Sequence, residues 1–288
     1  MPSNVIQWFP GHMAKTRRLI TECLPLVDIV IEVLDARIPQ SSKNPELERL
    51  IGQKPKLTVL SKSSLADPEV SKLWREFYKK NGRTAIFYDC RDKDNLSSIA
   101  PAVREILGEK LDRYESKGMT GRRLKAMMVG IPNVGKSSLI NALAKNSKAK
   151  VENRPGVTLT KQWITTSIGI DLLDMPGVLW PKFEDKTVGE NLAVTGAIKD
   201  DILDLEEIAF ILTGRLRKVA PGKLSERYKL GDMSKYENLA DHELLEEIGR
   251  KRGFLISGGE VDLERTSNML LDEFRAAKIG RITLELPE

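Results

Sequence analysis

Gly130-Ile131-Pro132-Asn133-Val134-Gly135-Lys136-Ser137 fills every fixed position of the pattern G-x-x-x-x-G-K-[ST]. An apolar run at residues 124–129 precedes it and a helical pattern at 137–144 follows, which is the context this pattern needs. No other feature narrows the fold as far. Glycines let the backbone wrap closely around a phosphate, with N–H groups pointing inward and the positive end of a helix behind them. Lys136 is then placed to reach the β- and γ-phosphates, and the Ser137 hydroxyl to hold Mg²⁺. The segment implies a nucleoside-phosphate site.

The surrounding chain fits such a site. Apolar runs at 27–34, 57–60 and 84–88 alternate with helical patterns. One helix opens at Asn44-Pro45 and another at Asp67-Pro68, the latter with Val70, Leu73, Trp74, Phe77 and Tyr78 on its apolar face. A third helix is expected over 97–111 despite Pro101, and residues 163–167 and 170–173 read as a hairpin about Ile168-Gly169. Alternation of this kind predicts an α/β fold, a mostly parallel sheet with helices on both faces. Beyond residue 185 the spacing turns helical, over 204–212, 241–250 and 266–279, with stops at Gly253 and Gly280. The expected organisation is a phosphate-binding α/β domain over 1–184 and a small all-α domain over 185–288.

Composition excludes several classes. The 288 residues carry only two cysteines, Cys23 and Cys90, in no metal-binding spacing, so neither a disulfide framework nor a zinc site is expected. No apolar stretch is long enough to span a bilayer, and the N-terminus shows no leader pattern, so a cytoplasmic protein without a membrane partner is expected. A net charge of +5 permits nucleic-acid contact without demanding it.

Asp174-Met175-Pro176-Gly177 ends an apolar strand downstream of the phosphate loop, as a D-x-x-G motif does. Asp174 would hold Mg²⁺, and the Gly177 N–H would meet the γ-phosphate. Between the two motifs, Thr158 is the first choice for a second Mg²⁺ hydroxyl, with Thr160 the alternative. After D-x-x-G an ordinary G domain continues with a base-recognition strand and loop, whereas here the chain enters helices. The missing pieces lie earlier: Ser61-Lys62-Ser63-Ser64 stands where N-K-x-D belongs, and Tyr88-Asp89-Cys90 where a short loop touches the guanine O6.

This order resembles that of circularly permuted P-loop GTPases. Residues 7–15 (QWFPGHMAK), 35–39 (DARIP), 130–138, 172–185 (LLDMPGVLWPKFED) and 195–200 (TGAIKD) resemble the ribosome biogenesis GTPase A (YlqF-type) family over nearly the whole chain. The resemblance implies GTP and GDP as ligands, with Mg²⁺. It implies a GTPase acting on the precursor of the large ribosomal subunit and its rRNA, stimulated by that particle, with no DNA partner and a monomeric state. Val134, Gly135, Ser138 and Pro176 join the nucleotide-binding set on the same basis. Asn133 resembles the asparagine that some G proteins use to bind K⁺.

Three departures shape expectation. Ser61 and Ser64 replace Asn and Asp, and a serine hydroxyl cannot accept the bidentate pair that guanine N1–H and N2 offer a carboxylate. That should weaken guanine binding roughly 30- to 1,000-fold, and Ser64→Asp should restore it. A non-catalytic rRNA-binding factor with a degenerate nucleotide site, or an ATPase, are the rival readings. Val178 and Leu179 follow D-x-x-G where many G proteins carry a water-orienting Gln. His12 is the candidate replacement, a surface or RNA-contacting role being its alternative. Trp8, Phe9 and Trp180 are candidates for stacking on bases or for the core. Basic clusters at 15–18, 113–125, 250–252 and 278–281 are candidate RNA contacts or ordinary solvated faces.

Overall fold

In the computed structural model the described residues are 10–91, 95–119, 121–144, 163–180, 183 and 185–288, the side chains of 10–13 excepted. Strands β1 (Ile29–Asp35) and β4 (Leu124–Gly130) run parallel at the centre of a six-stranded sheet. All seven residues of β1 are buried. A strand covered on both faces needs a continuous apolar run and not an alternating one, and that is the pattern at 27–34. Beside β1 lie β2 (Lys56–Ser61) and then β3 (Ala85–Phe87), both parallel. Beside β4 lies parallel β6 (Ile170–Asp174), and antiparallel β5 (Trp163–Thr165) closes that edge as the expected hairpin. The order β3-β2-β1-β4-β6-β5 reverses direction between β1 and β4. In such sheets ligands sit at the carboxyl ends of the strands beside that reversal.

Helices α1 (Pro10–Cys23), α2 (Pro45–Ile51), α3 (Pro68–Lys80), α4 (Ile99–Ile106), α5 (Gly108–Glu115) and α6 (Lys136–Ala144) accompany the sheet. Asn44 and Asp67 cap α2 and α3 as expected, each side chain accepting two backbone N–H groups. Two expectations need correction. The single helix over 97–111 is two, α4 and α5, broken at Leu107 before Gly108; Pro101 is tolerated in the first turn of α4. Leu73 is 47% exposed, outside the apolar face of α3, which buries Trp74 and Tyr78.

From residue 186 the chain forms α7 (Lys186–Val194), α8 (Leu205–Val219), α9 (Pro221–Tyr228), α10 (Asp241–Arg252) and α11 (Leu263–Arg275). Gly253 ends α10 in the left-handed conformation, as expected. Gly280 is not a helix stop: α11 ends at Arg275, and the turn beyond it is made by Ala277, φ 55°. Helix α8 packs against the other four. The apolar core is continuous from the sheet (Val33, Leu172) into these helices (Leu212, Leu244, Phe274). The C-terminal segment then returns to the sheet side, where Ile282 N–H donates to Leu65 O and Leu284 N–H to Arg37 O. No helix among the described residues is long and apolar enough to cross a membrane, and none of their His, Cys, Asp and Glu side chains form a metal-binding cluster.

Candidate nucleotide site

Strand β4 delivers the phosphate loop to the carboxyl edge of the sheet. At Gly130 a Cβ would lie 2.6 Å from Val33 O, so only glycine lets β4 leave the sheet this close to β1. Asn133 (φ 56°) and Gly135 (φ 97°) both take the left-handed conformation. That geometry turns successive N–H groups into an anion-binding concavity at the start of α6. Ser137 and Ser138 are exposed on the first turn of that helix, and Lys136 is buried to 8% exposure. Its Nζ donates to Asp174 Oδ1 at the end of the adjacent strand β6.

The loop after Asp174 runs along the phosphate loop. Val178 N–H donates to Gly130 O at 3.2 Å, and a Cβ on Gly177 would meet the Pro132 backbone at 2.9 Å. Asn44 Nδ2 holds the Val178 carbonyl at 2.9 Å while its Oδ1 caps α2. Val178 and Leu179 are buried, an apolar wall with no group to orient water, as the sequence implied. The donors present suit a Mg²⁺–nucleotide: a concave run of N–H groups, a cation, an exposed serine hydroxyl and a carboxylate meet on one edge. Thr158 and Thr160 lie outside the described residues; His12 lies in the first turn of α1, its side chain also outside them.

The base-recognition loop joins this edge through Ser61. Its hydroxyl lies 2.9 Å from Leu34 O and in short contact with Val134 O, so one proton serves two carbonyls and ties β2 to the phosphate loop. Lys62 (φ 55°) directs its Nζ to Asp35 Oδ2 at 2.9 Å. Asp35 in turn holds Arg37 in a fork, Nε–Oδ1 3.0 Å and Nη2–Oδ2 2.7 Å, with both residues 2% exposed. Burial pushes the Asp35 carboxyl up, but the Arg37 and Lys62 charges outweigh it and hold the group far below the ordinary carboxylate range. Arg37 also donates to Thr195 O and lies over the Phe274 ring. The sequence reading gave residues 35–37 no individual duty. Their signal, the D-A-R-I-P string closing a buried strand, was present without saying what Arg37 would touch.

Asp89 follows β3 and is 4% exposed. Burial raises its pKa, but hydrogen bonds from the Ser64 hydroxyl and from the Arg91 and Ser64 N–H groups win, leaving it below its ordinary value. Cys90 beside it is exposed and Cys23 is buried, and neither takes part in a disulfide. Asn133 Nδ2 donates to Gly196 O at 3.0 Å, a contact from phosphate loop to helical region that sequence reasoning missed. Trp180 does not stand out to stack on bases: it is 8% exposed and packs edge-on against Phe183. Trp8 and Phe9 lie outside the described residues. Several basic side chains serve the fold: Arg123 pairs with Asp171, Arg252 with Glu273, and Arg281 donates to Ser63 O and Ala66 O. His242 sits in α10 with its ring 6.0 Å from that of Phe210, edge to face.

Fold and site together define a P-loop GTPase, and a family model described as "50S ribosome-binding GTPase" matches residues 125–230. Over 284 residues the chain is 47% identical to ribosome biogenesis GTPase A of Bacillus cereus, covering 99% of this chain and 95% of that protein. The chain belongs to the ribosome biogenesis GTPase A family. It is also 34% identical over 238 residues to mitochondrial ribosome-associated GTPase 1 of Bos taurus, covering 80% of this chain and 71% of that one. The crystal structure of GNP-bound YlqF from T. maritima superimposes with a TM-score of 0.65 at 26% identity, covering 95% and 99% of the two chains. The protein is therefore a GTP-hydrolysing enzyme of ribosome assembly.

Proposed function

We propose that this GTPase binds the precursor of the large ribosomal subunit in its GTP state, contacts rRNA there, and leaves on hydrolysis. The observation that carries the reading is the meeting of Lys136, which opens α6 behind the phosphate loop, with Asp174 at the end of β6, the cation and the carboxylate that a Mg²⁺–triphosphate would draw on. The family model's description supports the choice of subunit. In this reading residues 1–184 are a circularly permuted G domain in which β1, β2 and β3, carrying base recognition, precede the phosphate-loop strand β4. Residues 185–288 are the helical domain, and the protein acts as a cytoplasmic monomer. Ser137, Asp174 and Thr158 would hold Mg²⁺, which would supply charge neutralisation at the phosphates. A K⁺ ion would use Asn133 Oδ1, the only cation-binding atom of the amide, while Nδ2 donates to Gly196 O.

With Val178 and Leu179 unable to orient water, His12 is the proposed group for that task. The test is phosphate release from GTP by the purified protein alone, with large subunits, and with small subunits as control. Turnover should rise by roughly tenfold or more with large subunits only, a barrier lowered by about 1.4 kcal/mol or more. His12→Ala should lower the stimulated rate about 10²-fold at unchanged GDP affinity. Equal rates with and without large subunits would sink the assembly reading. A His12→Ala variant as fast as wild type would leave that reading standing and remove His12 from it.

A further inference from the structure

The chain has serine at position 64, where a guanine-reading carboxylate belongs, yet the fold returns a carboxylate to the same place. Ser64 Oγ lies 2.5 Å from Asp89 Oδ2, and the Ser64 N–H donates to the same oxygen at 3.1 Å. The juxtaposition follows from the sheet. Parallel β2 and β3 are in register with Leu60 opposite Phe87, so the loops leaving their carboxyl ends emerge side by side. The Ser61 hydroxyl ties the first of those loops to the phosphate loop at Val134 O. Asp89 therefore stands on the same edge as the phosphate concavity, beside Ser64.

We propose that Asp89 is the base-reading residue of this site, accepting the guanine N1–H and 2-amino group in place of the missing carboxylate at position 64. The proposal rests on the guanine-nucleotide reading above and names the side chain that makes it selective. Hydrogen bonds keep Asp89 ionised at neutral pH, so it is an acceptor only. Guanine presents two adjacent donors along that edge, whereas adenine presents an acceptor at N1 and no donor at C2. A carboxylate thus pairs with one base and opposes the other.

The inventory of partners shows how a base is admitted. Oδ1 accepts the Arg91 N–H at 2.8 Å, and Oδ2 accepts the Ser64 N–H and hydroxyl. A carboxylate offers about four acceptor sites, which leaves one open on Oδ1. Of the three donors only the Ser64 hydroxyl rotates freely, so it is the one that yields the second site. The two backbone N–H groups stay and fix the carboxylate's orientation. The same geometry reverses the expectation for Ser64→Asp: a second carboxylate there would meet Asp89 charge to charge, and guanine binding should weaken.

The test is equilibrium binding of ribose-labelled fluorescent GDP, XDP and ADP to the full-length protein. Wild type should prefer GDP. Asp89→Asn replaces one acceptor oxygen by an NH₂ donor, which opposes the guanine 2-amino group and suits the carbonyl at C2 of xanthine. GDP affinity should fall roughly 30- to 1,000-fold, and XDP should become the preferred ligand, a gain that a damaged fold does not produce. The double variant Ser64→Asp/Asp89→Ser should keep the GDP preference, because it returns the carboxylate to the ordinary position with serine as its partner. If Asp89→Asn binds GDP as wild type does and gains nothing for XDP, Asp89 only clips two loops together, and the GTPase reading survives without it. Wild type binding GDP and ADP equally would overturn the guanine reading and the proposal with it. Should Asp89→Asn fail to fold, Asp89→Ser decides: GDP affinity falling to that of ADP supports the proposal, and a retained GDP preference overturns it.

Discussion

Lys136→Ala is expected to lower GTP turnover about 10²- to 10³-fold, the usual loss when one preorganised charge or donor at a developing negative charge is removed. The physical ground is where Lys136 sits. Its residue is 8% exposed, it opens α6 behind two left-handed turns, and its Nζ already donates to Asp174. A cation held this way loses little side-chain entropy when phosphate oxygens replace the carboxylate as its acceptors. The loss should be larger for GTP than for GDP, because the γ-phosphate draws on the lysine most. Single-turnover phosphate release and GDP affinity should be measured on the same preparation, with thermal unfolding as the control. Asp174 keeps 27% side-chain exposure and can turn to solvent when its partner is removed, so melting should change little. Turnover within tenfold of wild type at saturating GTP would show that this loop binds nucleotide without catalysing its hydrolysis.

Much of this arrangement was legible because it depends on short-range signals. The phosphate loop is one contiguous string between a strand and a helix, and Asn44 and Asp67 announce their helices from the capping position. Residues 27–34 read as a buried strand because both faces need apolar side chains, and the strand formed is Ile29–Asp35. What was illegible depends on register and long-range contact. Ser64 and Asp89 are 25 positions apart and meet only because β2 and β3 pair as they do. Read from sequence alone, Ser64 is a loss; placed in the sheet, it is half of a pair. The link from Asn133 to Gly196 spans 63 positions and has no local signature. Helices α1, α7 and α9 had no counterpart in the sequence reading: α7 contains Gly189, which weakens its pattern, α9 is only eight residues long, and α1 pairs 14 residues with a weak apolar stripe, burying Ile20 and Cys23.

Arg37→Ala should destabilise the fold by about 3–5 kcal/mol, the range for removing one partner of a buried ion pair. Asp35 keeps Lys62 at 2.9 Å, but that lysine is 25% exposed and reaches only one oxygen, so the lower end of the range is expected. The variant also loses the bond to Thr195 O and the contact with the Phe274 ring, both of which join the base-recognition side of the sheet to the helical region. The pH dependence separates this account from simple loss of packing. In wild type the Asp35 pKa is depressed, so its contribution is fully present above the ordinary carboxylate pKa and is lost only as pH falls through the depressed folded value. Without the Arg37 side chain, Asp35 keeps only the Lys62 charge and the backbone N–H of residue 37 against its burial, so its pKa is expected to rise and the ionised form to oppose folding near neutrality. Lowering the pH from about 7 towards 4 should then relieve the variant while leaving the wild-type contribution nearly intact. Urea unfolding of both proteins across that range should show the stability gap narrowing. A gap that stays constant with pH would mean that Arg37 acts through packing alone, and that the Asp35 charge has another source of compensation.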